Sequence, residues 1–160
     1  MRQRYKIQQQ LGTIPIADVS LSMKSRDEFP AILKGLQYVF MNETLRESIL
    51  ALIEKVVSGK KAATGRPGMD LWEIYVLAVV RLGLDLNYDR LEDMANNHKR
   101  FRGILGVEIE PGFGPSKPYR LQTLKDNIGL LDAEVLNEIN LLIVSAGHKL
   151  VKKKTRRGSG

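Results

Sequence analysis

The sequence predicts an all-α fold, a helical bundle of about six helices preceded by an extended N-terminal arm. Apolar residues recur at three- and four-residue spacing through most of the chain after residue 28, which is typical of helices that bury one face. Residues that commonly cap helices precede these runs: Ser25, Asn42 or Thr44, Asp70 and Asp132. A chain of 160 residues is also long enough for one domain with a substantial core.

Residues 1–28 are predicted to form an extended or mobile N-terminal arm. The first ten residues are polar and rich in glutamine. Five apolar residues then follow at mostly two-residue spacing, which indicates extended structure: Ile14, Ile16, Val19, Leu21 and Met23. Pro15 favours an edge or irregular strand. The segment is either an ordered coil that covers the core or an arm exchanged with a second copy of the chain.

Residues 29–58 are predicted to form an antiparallel hairpin of two helices. Apolar residues at helical spacing define the first helix (Ile32, Leu33, Leu36, Val39 and Phe40) and the second (Leu45, Ile49, Leu52, Ile53 and Val56). Because the connection between them is short, the two helices should lie side by side. Their expected role is core packing or dimer contact.

Residues 65–150 are predicted to form a second helical unit. A turn rich in glycine and proline leads to Asp70 and the apolar run 71–84, which should be a buried helix with Trp72 as a core anchor. A polar helix follows and then a break at three residues typical of turns or helix ends, Asn96, Asn97 and His98. The last helix begins after Asp132 and has a wide apolar face.

Two groups of residues in this unit are candidates for contact with DNA. Lys99, Arg100 and Arg102 form a basic cluster on a short helix, which fits a solvated face and a phosphate contact equally well. The helix that begins near residue 122 would be the recognition helix of a helix-turn-helix-like C-terminal half, or else an ordinary bundle helix with a polar face. Its candidate contacts, with the residues leading into it, are Lys117, Arg120, Gln122, Thr123, Lys125 and Asn127.

Positive charge is concentrated at the two ends of the chain. The formal net charge is +7, yet nine of the 25 Lys and Arg residues lie within residues 1–6 and 149–157. The rest of the chain is therefore slightly acidic. Residues 151–160 are predicted to be a disordered basic tail. Its residues Lys152, Lys153 and Lys154 either contact phosphate or are solvated.

Five segments of the sequence, in order and at matching spacing, carry a family resemblance: GRPGMDLW, YDRLEDMANNHK, FRGILG, YRLQTLKDN and SAGHKLVKKK. They resemble the N-terminal region of bacterial insertion-sequence transposases, closest to the ISNCY type, over nearly all of Leu11 to Lys154. The resemblance implies that the chain binds double-stranded DNA at transposon ends, through the helix after residue 122 and the basic cluster. The arm and the hairpin would support a homodimer. The alternative is a helical self-association module without intrinsic DNA binding.

The sequence offers little support for catalysis. It has no cysteine, and its two histidines, His98 and His148, lie about fifty residues apart without the spacing of a metal site. It contains no GxSxG, Walker or dinucleotide-binding motif. Transposases of this family carry three metal-binding acidic residues in an RNase H-like domain that follows the matched region, and the chain stops a few residues past that region. We therefore expect a protein that is not an enzyme and has no cofactor or metal.

No membrane partner is expected. The longest apolar run, residues 71–84, is shorter than the ~18 residues that a membrane-spanning helix needs, and Glu73 and Arg81 interrupt it. The N-terminal segment lacks the apolar region of a signal peptide. The expected location is the cytoplasm.

Overall fold

The computed structural model describes residues 4–5, 14–21, 28–59, 69–107 and 118–158, with side chains as far as residue 145. Within these ranges the chain forms seven α-helices, a short 3-10 helix and no strand. The α-helices are α1 (Glu28–Met41), α2 (Glu43–Gly59), α3 (Leu71–Gly83), α4 (Tyr88–Asn97), α5 (Lys99–Leu105), α6 (Leu121–Ile128) and α7 (Ala133–Gly158). The predicted all-α bundle is confirmed, with seven described helices where about six were expected.

α1 and α2 are joined by a single residue, Asn42, and pack against each other. The Asn42 side chain caps α2 by accepting a hydrogen bond from the N–H of Leu45 at 3.1 Å. This bond satisfies one of the donors that every helix leaves open at its start. The two helices contribute eight buried apolar side chains to the core: Leu33, Leu36, Val39, Leu45, Ile49, Leu50, Ile53 and Val57.

α3 is the centre of the bundle, because it packs against α1, α2, α4, α5 and α6. Asp70 caps α3 by accepting a hydrogen bond from the N–H of Glu73 at 2.8 Å. Trp72 is 1% exposed, and its indole N–H donates to the carbonyl of Ile104 at 2.8 Å. A buried indole needs such an acceptor, and this one ties α3 to α5. The predictions for Asp70 and Trp72 are both confirmed.

The described part of the N-terminal segment is not a strand, and this corrects the expectation of extended structure. Residues 16–18 form the 3-10 helix, in which the N–H of Asp18 donates to the carbonyl of Pro15 at 2.9 Å. Proline presets the backbone for such a turn, which outweighs the two-residue apolar spacing. The amide of Gln37 in α1 donates to the carbonyl of Val19 at 2.9 Å, and Val19 is buried. This segment therefore covers the core of its own chain.

α7 extends to Gly158, beyond the predicted end of the folded chain at residue 150. The prediction of a disordered tail is therefore wrong for residues 151–158, including Lys152, Lys153 and Lys154, whose backbone is helical. Lysine and arginine are good helix formers, and positive charge is favourable near the C-terminal end of a helix. Although α7 has 26 residues, neither it nor any other described helix is apolar enough over sufficient length to span a membrane.

Candidate nucleic-acid interface

The start of α6 is fixed by a pair of hydrogen bonds between Asn96 and the backbone of Tyr119. The Asn96 side chain donates to the carbonyl of Tyr119 at 2.9 Å and accepts from its N–H at 2.7 Å. Asn96 belongs to the last turn of α4, and α5 begins at Lys99, two residues after α4 ends. The starts of α5 and α6 therefore lie at the same corner of the bundle.

The side chain of Tyr119 anchors this corner to the centre of the fold. Its hydroxyl donates to the Oε2 atom of Glu73 in α3 at 3.1 Å. Burial, and then the neighbouring carboxylate of Glu73, raise the pKa of Tyr119 well above its ordinary value of 10.0. The phenol therefore stays protonated at neutral pH and can donate to Glu73. α6 consequently begins from a backbone position held on two sides, by α4 and by α3.

Four cationic side chains at this corner are exposed to solvent. Lys99 and Arg100 occupy the first turn of α5 and Arg120 directly precedes α6, while Lys125 is exposed further along, in the last turn of α6. We refer to these four residues as the basic corner. Gln122 and Thr123 are exposed on α6 beside them. Of the sequence candidates, these six side chains are the ones that the structure places on the surface.

Arg102 is buried, and the prediction that it contacts DNA is wrong. It is 1% exposed, and its Nη1 atom donates to the carbonyl of Ala95 in α4 at 2.9 Å. α5 packs against α1, α3 and α4, so all its residues from Phe101 onwards point into the fold. Only its first turn is left at the surface. Arg102 therefore holds α4 and α5 together, whereas Lys99 and Arg100 are exposed in the first turn of α5.

Asn127 is the second correction among the candidates. It is 7% exposed, and its amide donates to the carbonyl of Thr123 at 2.7 Å within α6. It shares the buried face of α6 with Leu124 and Ile128, as the three- and four-residue spacing requires. An amide in this position cannot reach the edge of a base. Gln122 is exposed instead, with its Nε2 atom donating to the Oδ1 atom of Asp126 at 2.8 Å.

The remaining candidates lie where the structure describes no side chains. Lys117 is outside the described residues. Lys152, Lys153 and Lys154 belong to the helical backbone of α7, and their side chains are outside the described part of the chain.

His98 caps α5, a role that its position at a break between two helices did not predict. Its Nδ1 atom caps α5 by accepting from the N–H of Phe101 at 3.2 Å, and its ring lies 4.7 Å from that of Phe29. Burial, and then the positive charge of Arg100, lower the pKa of His98 from its ordinary value of 6.5. The neutral imidazole is the form that can accept the capping bond. The signal in the sequence was its position immediately before a basic helix, although histidine is not a common cap.

The described residues do not include a cluster of three or more His, Cys, Asp or Glu side chains arranged to hold a metal ion. Comparison of the chain with protein-family models, with curated proteins and with solved structures finds no match. The class of this protein is therefore described from its fold and its surface alone. The chain is an all-α bundle with an exposed basic corner near the starts of two helices.

Proposed function

We propose that this chain binds double-stranded DNA through the basic corner, as the DNA-binding and assembly part of an insertion-sequence transposase. It would recognise the terminal repeats of the transposon and would not carry out strand transfer itself. One observation carries the proposal. The Asn96–Tyr119 pair brings the starts of α5 and α6 together, and Lys99, Arg100 and Arg120 are exposed there. The family resemblance of the sequence supplies the choice of DNA as the ligand.

The chemistry of the corner suits a phosphate backbone. Lysine and arginine neutralise phosphates and supply most of the sequence-independent affinity for DNA. α6 begins at Leu121, and Arg120 before it makes no side-chain capping hydrogen bond. A helix start in this state attracts anions through its dipole and its open donors. The corner therefore combines formal charge with oriented backbone donors.

Recognition of bases would fall to the exposed face of α6. Gln122 and Thr123 are exposed there and carry groups that can hydrogen-bond to base edges in the major groove. α4 packs against α6 and would support it as the first helix of a helix-turn-helix motif supports the recognition helix. In this geometry Arg120 and Lys125 would hold the neighbouring phosphates and set the register of α6 on the duplex.

A matched pair of double variants tests the proposal. Arg120→Ala/Lys125→Ala removes two charges from the basic corner, and Lys55→Ala/Arg90→Ala removes two exposed charges elsewhere, on α2 and α4. Fluorescence anisotropy with a terminal-repeat duplex, at several salt concentrations, should show at least a tenfold loss of affinity for the first variant. The slope of log K against log salt should fall by about 1.8. The second variant should lose no more than about twofold, by screened long-range attraction alone.

The alternative function is self-association without intrinsic DNA binding. Exposed apolar side chains favour it at two places, on α1 (Tyr38, 45%, and Met41, 61%) and on α7 (Leu141, 70%, and Val144, 54%). Sedimentation analysis of the same preparations separates the two functions. The alternative predicts that the original chain dimerises and that the two double variants do not differ in their affinity for DNA. That result would contradict the proposal.

A further inference from the structure

A second site lies away from the basic corner, where α3 ends, α4 begins and α6 is followed by α7. It is a pocket of about 160 Å³. Its wall is largely apolar and includes Leu82, Ile128, Leu131 and Leu136. Leu82, at 52% exposed, stands at the rim, so the pocket opens to solvent. The two polar side chains of the wall, Arg81 and Tyr88, come from neighbouring helices.

Arg81 is the unusual member of this wall. Its guanidinium carbon lies 4.2 Å from the centroid of the Tyr88 ring, a cation–π contact that holds the group in place. Its Nε atom is buried and has no hydrogen-bond acceptor among the described residues. Glu47, Glu54 and Asp93 form ion pairs with other arginines, Arg4, Arg46 and Arg90. A charged donor in this state is costly, and an incoming acceptor would remove that cost.

We propose that this pocket binds a small monocarboxylate with an apolar body about the size of benzene, its carboxylate paired with Arg81. After a small rotation of the side chain, the Nε–H and an adjacent Nη–H would donate to the two carboxylate oxygens, the fork geometry that arginine favours. A cavity of about 150 Å³ with apolar walls is known to hold benzene, so the volume here suits a body of that size.

The charge of the ligand follows from the composition of the wall. One guanidinium neutralises one carboxylate, whereas a phosphate dianion would bring a second charge against Leu131, Ile128 and Leu136. Burying a charge without a partner is strongly unfavourable. A neutral apolar molecule would fill the space but would leave the Nε–H of Arg81 without an acceptor. The monocarboxylate is the class that satisfies both parts of the site.

Three probe ligands test the chemistry on the unmodified protein. Benzoate carries both parts of the proposed ligand, benzyl alcohol carries the ring without the charge, and acetate carries the charge without the ring. Titration followed by backbone amide chemical shifts should show saturable binding of benzoate, with shifts in residues that line the pocket. Its affinity should exceed that of either partial ligand by at least about tenfold. Equal, non-saturating shifts for all three would overturn the proposal.

Two variants locate the binding. Arg81→Met keeps an unbranched side chain, although a shorter one, but removes its donors and should weaken benzoate binding by at least about tenfold. Ala133→Leu enlarges a wall residue at the surface and should obstruct the pocket without changing Arg81. Arg90→Met, at an exposed arginine in the first turn of α4 that does not line the pocket, is the control and should bind benzoate as the original chain does. Circular dichroism verifies the fold of each variant, and retained affinity in both pocket variants would refute the site. The experiment contains no DNA, so its outcome is independent of the proposed function.

Discussion

His98 serves two helices with one residue. Its backbone N–H donates to the carbonyl of Met94 at 2.9 Å and so ends α4, while its Nδ1 atom caps α5 by accepting from Phe101. The cap requires a neutral ring, because a protonated imidazole has no free lone pair. The two basic residues that follow, Lys99 and Arg100, stand in the turn that this cap holds. The protonation state of His98 therefore affects the stability of the helix turn that carries Lys99 and Arg100.

The lowered pKa of His98 predicts a stability loss at acidic pH. Because the folded pKa lies below the unfolded value near 6.5, the unfolded chain takes up a proton first as the pH falls. The contribution of His98 is complete above that value and is lost as the pH falls from it towards the folded pKa. His98→Asn supplies a cap that does not titrate. The free energy of unfolding, measured with urea at pH 7.5 and at pH 5, should therefore fall more for the original chain than for His98→Asn.

His98→Ala serves as the control for that measurement. At pH 7.5 the loss of a cap should cost about 1 kcal/mol in the free energy of unfolding. At pH 5 the difference between His98→Ala and the original chain should be smaller, since the protonated ring no longer accepts from Phe101. An equal pH dependence in the original chain and in His98→Asn would contradict the assignment of the cap.

At the scale of elements, the position of α6 depends on side chains outside it. Asn96 of α4 and Glu73 of α3 both bond to Tyr119, which stands two residues before α6. These contacts hold the segment from which α6 begins. α6 has only 8 residues, and isolated helices of that length are not stable in water. Its buried face, which includes Leu124 and Ile128, supplies the packing. The polar contacts set where it begins.

Asn96→Ala should release the start of α6 without unfolding the bundle. The substitution removes both hydrogen bonds to Tyr119, and we expect a destabilisation of about 1–2 kcal/mol together with weaker DNA binding. Asn97→Ala is the matched control, since the Asn97 amide bonds only within α4, to the carbonyl and carboxylate of Asp93. Thermal unfolding and anisotropy of the two variants make the comparison. If both variants lose affinity equally, the pair does not position the DNA-binding surface.

At the scale of the whole molecule, the far end of α7 carries a concentration of positive charge in addition to the basic corner. Five cationic residues lie between residues 152 and 157 in a continuous helix, beyond the part of α7 whose apolar side chains are buried. A helix of 26 residues is about 39 Å long. If the chain binds DNA as proposed, this end would contribute attraction that does not depend on base sequence.

Removal of residues 151–160 should therefore weaken binding to every duplex by a similar factor. The preference for terminal-repeat DNA over a scrambled duplex should remain, because the basic corner and α6 are unchanged. The slope of log K against log salt should fall by up to about 4.5 for the five charges removed. A chain lacking only residues 159–160 is the control. If the preference disappears with the truncation, the basic corner is not the recognition surface.

The positions of the helices could be predicted because the forces that set them are local. Asp70 and Asn42 bond to N–H groups three residues ahead, and the apolar spacing of α3 is complete within its own segment. The turn at Pro15 was the exception, since a two-residue apolar spacing fits a strand and an irregular turn alike. Residues 152–154 are helical although they are not apolar, because lysine has a high helix propensity and α7 continues through them.

Which polar residues reach solvent was decided by the tertiary structure alone. Arg100 and Arg102 have the same chemistry and differ by two positions, yet the first is exposed and the second is 1% exposed, because three helices pack around α5. Asn127 is likewise buried, because it lies on the face of α6 that packs into the bundle. The sequence by itself determined that this chain is a helical bundle with its basic residues in clusters, since periodicity and capping are properties of neighbouring residues. The packing of distant helices then selected the members of each cluster that can meet a ligand.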